Sequence, residues 1–275
     1  MAPITHRSRI HLLAARQAPV IVILQRKRTR LYHVITLDTE THAIDEGSWF
    51  RGKLNALCSD VSFDGKFMVY QANGAGDRTQ WSGVCRLPWL KTLFHVDSAI
   101  SSGGYFSGPN TLTTRYWFHH VENIFSTDDI PFTIERDNSV RGHGRRVIDG
   151  RFGRDGFVRL GDNWGVSQMM TSPPFLTPCI GDDGWGRRPA PGFPELQVRY
   201  LGSTHDAYSF AFTLDEFPGL LQGAMWTTWD ANNKLWVARP GVVEQYTLDD
   251  LRRGTPSFSL DVDRFEPPAR PLKEP

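Results

Sequence analysis

Short apolar runs separated by polar, turn-forming residues dominate the hydrophobic pattern of the chain. Val20–Leu24 and Leu31–Leu37 are apolar strand candidates that flank the cationic segment Gln25–Arg30, which predicts a hairpin with a charged tip. Thr111–Phe118 shows the densest alternation in the middle of the chain and predicts another strand. For Ile10–Arg16 we expect a short helix or an arm. The pattern as a whole predicts an all-β fold.

The clearest turn and strand of the sequence lie within Ser59–Tyr70. Its Asp64-Gly65 dipeptide favours a tight turn, because Gly adopts positive φ freely and Asp can bond its own backbone. Phe67–Tyr70, which follows, is apolar at every position and predicts a short strand buried on both faces. Weaker versions of this turn and strand occur at Phe152–Leu160 and at Trp229–Ala238.

The turn resembles the repeat of TolB-like and WD40-like β-propellers, where a serine, proline, aspartate, glycine, lysine turn precedes an aliphatic strand. Four residues match that motif and Phe63 replaces its proline; the matching residues are Ser62, Asp64, Gly65 and Lys66. The resemblance implies a β-propeller, and such propellers commonly act as interaction platforms.

The spacing of the three turns fits the period of such a repeat. Asp64, Asp155 and Asn232 are separated by 91 and 77 residues, each about two repeats of roughly 40–45 residues. We therefore expect a small β-propeller of about five blades over residues 18–266, with an N-terminal arm over 1–17 and a disordered tail over 267–275. The alternative is two antiparallel β-sandwich or barrel domains with a break near Ser139–Arg146.

Composition narrows the classes of function. The net charge of +1 creates no global attraction to nucleic acid or membrane, so any anion site has to be local. Cys58, Cys85 and Cys179 have neither zinc-site nor redox spacing, and we expect reduced, buried thiols. We expect no metal and no cofactor. The apolar part of the N-terminal segment is too short for a signal peptide or a membrane span, so we expect a cytoplasmic protein of bacterial type.

The most polarised segment is a basic stretch between residues 141 and 154. Guanidinium groups suit phosphates and carboxylates, and the interspersed glycines let the backbone approach an anion. The candidate binding residues are Arg141, His143, Arg145, Arg146, Arg151 and Arg154. The alternative is an exposed loop whose arginines pair with nearby carboxylates.

A second candidate site combines two carboxylates with an aromatic ring. Asp182, Asp183 and Trp185 lie together in a Pro/Gly-rich segment, and paired carboxylates can serve acid–base chemistry or calcium binding, while Trp can stack on sugars. The alternative is a plain loop turn. His119 and His120 are disfavoured as a shared metal site, because neighbouring residues on a strand point to opposite faces.

Three functions are compatible with these features. The first is a non-enzymatic interaction or scaffold module that binds a protein partner through propeller end-face loops, since no complete catalytic motif occurs. The second is a hydrolase or lyase in which residues such as His119, His120, Asp182 or His205 converge in a funnel. The third is an anion or nucleic-acid binder that uses Arg141–Arg154 and whose affinity falls steeply with salt.

Overall fold

The computed structural model is an all-β protein and describes residues 7–74, 80–98, 101–116, 121–127, 129–137, 145–160, 184–204 and 207–269. Within these ranges it contains 19 strands, two α-helices and one 3-10 turn. No helix of the described ranges is long and apolar enough to cross a bilayer. The strands are β1 (Arg9–Ala14), β2 (Val20–Arg28), β3 (Leu31–Asp38), β4 (Ile44–Val61), β5 (Phe67–Gly74), β6 (Gln80–Arg86), β7 (Thr92–Ser98), β8 (Ser101–Gly108), β9 (Thr111–Tyr116), β10 (Val121–Ser126), β11 (Thr133–Arg136), β12 (Val158–Leu160), β13 (Gly184–Arg187), β14 (Leu196–Thr204), β15 (Ala207–Leu214), β16 (Trp226–Trp229), β17 (Leu235–Arg239), β18 (Val242–Tyr246) and β19 (Phe258–Asp261). The helices are α1 (Arg145–Arg154) and α2 (Leu248–Arg253), and the 3-10 turn is Val262–Arg264.

The largest sheet has eight strands in the order β1-β2-β3-β4-β5-β6-β7-β10. All of its neighbouring strands run antiparallel. The first half of the long strand β4 pairs with β3, and its second half pairs with β5. The pairing with β5 shifts register between Asn55 and Asp60, as at a β-bulge. The expected helix or arm over Ile10–Arg16 is instead strand β1, paired with β2.

Three smaller sheets complete the fold. One has the order β11-β9-β8, in which β11 and β9 run parallel. The other two are four-stranded antiparallel meanders, β12 to β15 and β16 to β19. Within the described residues none of the four sheets is closed. The prediction of an all-β protein is therefore confirmed.

The core consists of three clusters of buried side chains, and strand alternation decides which cluster a residue joins. In β2, Ile21 and Ile23 face a cluster shared with α1 and β13 to β19, while Val22 and Leu24 face a second cluster against β4, β5 and β6. A third cluster lies between β5 to β7 and the sheet of β8 and β9. The eight-stranded sheet is thus covered on both faces over much of its extent, and its strands are correspondingly apolar.

The predicted turn at Asp64-Gly65 is held by side-chain hydrogen bonds. The Ser62 hydroxyl donates to Asp64 Oδ1 at 2.6 Å and accepts from the Phe67 amide at 2.9 Å. Gly65 has φ +73°, and a Cβ there would lie 2.8 Å from Val20 Cβ, so this position requires glycine. Phe67–Tyr70 is buried at every position, which confirms the strand buried on both faces.

The two ends of the described chain meet in what we call the terminal clasp: Ser8, Gln25 and Asp263. The Ser8 amide donates to Asp263 Oδ1 at 3.1 Å, and the Gln25 side-chain amide donates to Ser8 Oγ and to the Val262 carbonyl, each at 2.9 Å. Strand β1 also packs on β16 and β17. The first and last sheets of the chain are therefore joined directly.

Candidate functional site

The basic segment predicted as an anion site becomes partly a helix. Arg141 and His143 lie outside the described residues, and Arg145 and Arg146 open helix α1. The other two predicted arginines, Arg151 and Arg154, occupy its last turn and point into the protein. The structure thus divides the predicted residues instead of placing all of them on one exposed loop.

Arg151 and Arg154 converge on the carboxylate of Asp60, which is 1% exposed. Both terminal nitrogens of Arg154 donate to Asp60, one of them at 3.2 Å to Oδ1, and Arg151 Nε lies 3.5 Å from the same Oδ1. Arg154 Nε also donates to Asp155 Oδ1 at 2.8 Å. Burial lowers the pKa of Arg151, while Asp60 acts in the opposite direction. These two guanidinium groups serve an internal ion-pair network.

The second predicted site is only partly described. Asp182 and Asp183 lie outside the described residues, as do His119, His120 and His205. Trp185 belongs to β13, is 4% exposed and packs against Phe152 with ring centroids 5.1 Å apart. Its ring is part of the largest apolar cluster, so its face is covered by protein. Among the described residues, no group of three or more His, Cys, Asp or Glu side chains could hold a metal.

A concave site that was not predicted from the sequence lies on the eight-stranded sheet. We call it the aromatic pocket; its volume is about 270 Å³. Strands β4, β5, β6 and β7 and the β6–β7 connection provide its walls. The lining residues are Phe50, Tyr70, Trp81, Leu90, Thr92, His95 and Asp97. A pocket rich in aromatic side chains with a few polar groups is the usual form of a recognition site.

The register of the sheet explains how these side chains come together. Tyr70 pairs with Gly83, Gly83 pairs with His95, and His95 pairs with Phe125, so one row crosses four strands. In the next row on the same face, Trp81 pairs with Asp97. Because residues two apart on a strand share a face, His95 and Asp97 line the same side. The antiparallel pairing therefore assembles the pocket from residues distant in sequence.

Two glycines make room for two of the aromatic rings. A Cβ on Gly83 would lie 2.6 Å from Tyr70 Cζ, and a Cβ on Gly52 would lie 2.5 Å from Phe50 Cζ. Non-bonded heavy atoms do not approach so closely, so a larger residue would displace the neighbouring ring and, at Gly52, would also meet the Asn73 carbonyl oxygen at 2.4 Å. The rings of Phe50 and Tyr70 thus pack directly on Gly52 and Gly83.

The polar groups of the pocket have defined partners. The Tyr70 hydroxyl lies 3.2 Å from Thr92 Oγ1, and burial raises the pKa of Tyr70 to about 12. Tyr70 is therefore a neutral phenol at physiological pH. His95 Nε2 and Asp97 Oδ2 are 3.7 Å apart, and their side chains are 29% and 24% exposed. The pocket consequently presents a carboxylate and an imidazole that solvent can reach.

An exposed aromatic residue extends the pocket toward the edge of the sheet. Phe125, on the edge strand β10, stacks on His95 with ring centroids 5.5 Å apart and is 45% exposed. Its neighbour Ile124, on the opposite face of the strand, is 55% exposed. An exposed aromatic ring that adjoins an apolar pocket enlarges the apolar surface, and contiguous apolar patches mark interaction sites. The aromatic pocket and Phe125 form one continuous surface.

Part of this site had a signal in the sequence. Trp49-Phe50 and Trp81 stand out as aromatic residues within strand candidates, and His95 and Asp97 show the two-residue spacing of one strand face. What brings Tyr70, Trp81 and His95 together is the register of three strands, which is not a local property of any segment.

Comparisons with protein-family models, with curated proteins and with solved structures found no match for this chain.

Proposed function

We propose that the protein is a non-enzymatic interaction module that binds a protein partner through the aromatic pocket and the adjoining Phe125. The observation that carries the proposal is the continuity of a pocket lined by Phe50, Tyr70 and Trp81 with an exposed aromatic residue on an edge strand. Aromatic residues are enriched at protein interfaces, where they fill pockets and dominate the binding energy.

The dimensions of the site support a macromolecular partner. The aromatic pocket measures about 270 Å³, which is close to the lower end of the range of about 300–1,000 Å³ for ligand pockets. A volume of this size suits one inserted side chain, with further contact made outside the pocket. Phe125 supplies such outside contact, and strand β10 pairs only with β7 among the described residues. An extended partner segment could add to that edge.

We also propose that the sheets are arranged as blades of a β-propeller of about five blades. The four-stranded meanders of β12 to β15 and of β16 to β19 have the form of blades. Contacts between consecutive sheets support the arrangement: β15 meets β16, β1 meets β16 and β17, and β8 packs on β4, β5 and β6. The terminal clasp would then join the first and last blades.

The enzymatic and anion-binding alternatives have less support. His95 Nε2 and Asp97 Oδ2 are 3.7 Å apart, which is beyond hydrogen-bond distance in this structure. Thr92, the one aliphatic hydroxyl of the pocket lining, is bonded to Tyr70. Arg151 and Arg154 form ion pairs with the buried Asp60 and therefore do not face a nucleic acid. That alternative would depend on Arg141, Arg145 and Arg146.

Affinity purification from the native host tests the proposal. Wild-type protein, Phe125→Ser and the control Val158→Ser would be compared by mass spectrometry, with and without nuclease. Val158 is 69% exposed on β12, in a different sheet, so its change matches the loss of apolar surface. We expect a nuclease-resistant partner with wild type and Val158→Ser, and its loss with Phe125→Ser. Equal recovery with all three proteins would refute the proposal.

A further inference from the structure

We propose that the aromatic pocket binds an alkylammonium group, carried by a lysine or methylated lysine side chain of the partner. The inference rests on the proposed function and names the chemistry of its site. It follows from three properties of the pocket: the orientation of its rings, the sign of its charge and its size.

The first property is the arrangement of two aromatic walls. The rings of Phe50 and Trp81 have centroids 6.1 Å apart and an interplanar angle of 82°, so they form an edge-to-face pair whose planes are nearly perpendicular. A cation is attracted to the face of an aromatic ring because the ring quadrupole is negative there, and Trp is the strongest partner. Two perpendicular faces can contact one ammonium group from two sides.

The second property is the charge of the lining. Asp97 is the single carboxylate among the seven lining residues, and none of them is Lys or Arg. Asp97 is the cross-strand partner of Trp81, so the carboxylate and the indole are fixed side by side on two paired strands. The buried phenol of Tyr70 adds no charge because its pKa is raised to about 12. The Asp97 carboxylate, which also lies 3.7 Å from His95 Nε2, therefore places an acidic group beside the indole, where it suits a cation better than an anion.

The third property is the size of the pocket and the way it is held. Its volume of about 270 Å³ suits an ammonium group on an alkyl stem, with Leu90 providing an apolar contact. Leu90 is fixed by a 2.9 Å hydrogen bond from its amide to Ser48 Oγ. The rings of Phe50 and Tyr70 pack directly on Gly52 and Gly83. A site supported in this way needs little rearrangement on binding.

The first experiment compares choline with 3,3-dimethylbutanol, a probe of the same shape that has no charge. Binding would be followed by NMR at the Trp81 indole N–H, assigned from its loss in Trp81→Phe. We expect choline to bind at least about tenfold more tightly, which corresponds to about 1.4 kcal/mol. Equal binding of both probes, or no shift of the Trp81 signal by choline, would overturn the inference.

Charge variants test the role of the carboxylate. Asp97→Asn keeps the shape of the side chain, and we expect it to reduce the preference for choline by at least about threefold while binding of 3,3-dimethylbutanol stays unchanged. The control Asp249→Asn removes a carboxylate that is 74% exposed on α2 and should leave both affinities unchanged. Native chemical-shift dispersion in each variant shows that it is folded. An unchanged preference in folded Asp97→Asn would overturn the inference.

A peptide series distinguishes a partner side chain from a free small cation. Capped pentapeptides with alanine at four positions and trimethyl-lysine, lysine or norleucine at the centre would be titrated in the same way. We expect both cationic peptides to bind more tightly than the norleucine peptide and more tightly than choline. Choline binding tighter than either cationic peptide would overturn the partner side chain as the source. Loss of partner capture in Phe125→Ser tests the proposed function separately, because that variant retains every lining residue.

Discussion

Replacing Asp60 by Asn should remove a large part of the stability of the fold. Asp60 is 1% exposed, accepts from the Phe106 amide at 2.8 Å and pairs with the guanidinium groups of Arg151 and Arg154. Asn keeps the volume of the side chain but removes its charge, so two buried cations lose their main counter-ion. Removing one partner of a buried ion pair costs about 3–5 kcal/mol, a substantial share of the roughly 5–15 kcal/mol available to a domain.

Urea unfolding followed by tryptophan fluorescence measures this loss. The control Asp249→Asn breaks the exposed Asp249–Arg252 pair, whose side chains are 74% and 62% exposed, and should stay within about 1 kcal/mol of wild type. Adding Arg154→Met to Asp60→Asn should restore part of the stability, because one unpaired guanidinium is removed. A folded Asp60→Asn protein that loses less than about 1 kcal/mol would refute this account of the buried network.

Three further predictions concern a buried histidine, a glycine that packs against an aromatic ring, and the terminal clasp. Burial lowers the pKa of His33 from its usual 6.5 to about 4. As the pH falls, the unfolded chain therefore binds a proton at this histidine before the folded chain does, which favours unfolding. Between pH 6.5 and pH 4 the free energy of unfolding of the wild type should fall by up to about 3 kcal/mol more than that of His33→Gln. A parallel urea series at both pH values checks this, and identical pH dependence of the two proteins would contradict it. Gly83→Ala should lower the free energy of unfolding by about 1–3 kcal/mol because the added methyl group displaces Tyr70. The control Gly153→Ala has no atom within 4 Å of the added Cβ and should stabilise α1 by up to about 1 kcal/mol. Equal urea midpoints of the two variants would contradict the predicted clash. Asp263→Ala should cost about 1–3 kcal/mol by leaving the Ser8 amide without its acceptor, and hydrogen exchange at that amide should speed up; unchanged exchange would contradict the clasp.

Turns and central strands were predictable because their signals are local. The Asp64-Gly65 turn depends on the φ of one glycine and on side chains within five residues, and the strand after it is buried at all four positions. Cys58, Cys85 and Cys179 were expected to be reduced, buried thiols; Cys58 and Cys85 are buried thiols in no disulfide, and Cys179 lies outside the described residues. In each case the residue type alone limits the environment that it can occupy.

Helix α1 and the inward direction of its arginines could not be read from the sequence. The helix contains Gly150 and Gly153, which weaken helical propensity, and its apolar residues show little periodicity. Arg154 finds its counter-ion 94 positions away in Asp60, at the register shift of β4. A run of arginines looks exposed when the carboxylate that neutralises it belongs to a distant strand.

The aromatic pocket was missed for a related reason. Its rows join Tyr70, Gly83, His95 and Phe125 across four strands, and a shift of one residue in any pairing would move a side chain to the other face. Of these four strands, the sequence analysis located β5, and it gave no pairing register. The spacing of His95 and Asp97 was a usable local signal, since it places both side chains on one face whatever the pairing.

The terminal clasp has a consequence for synthesis of the protein on the ribosome. Ser8 and its acceptor Asp263 are 255 positions apart, and β1 packs on β16 and β17 near the end of the chain. At translation rates of roughly 5–20 residues per second, the N-terminal strand waits about 13–50 seconds before its last partner emerges. Throughout that interval, the part of β1 that packs on β16 and β17 lacks those contacts. Nascent chains should therefore recruit a chaperone until the final sheet has been made.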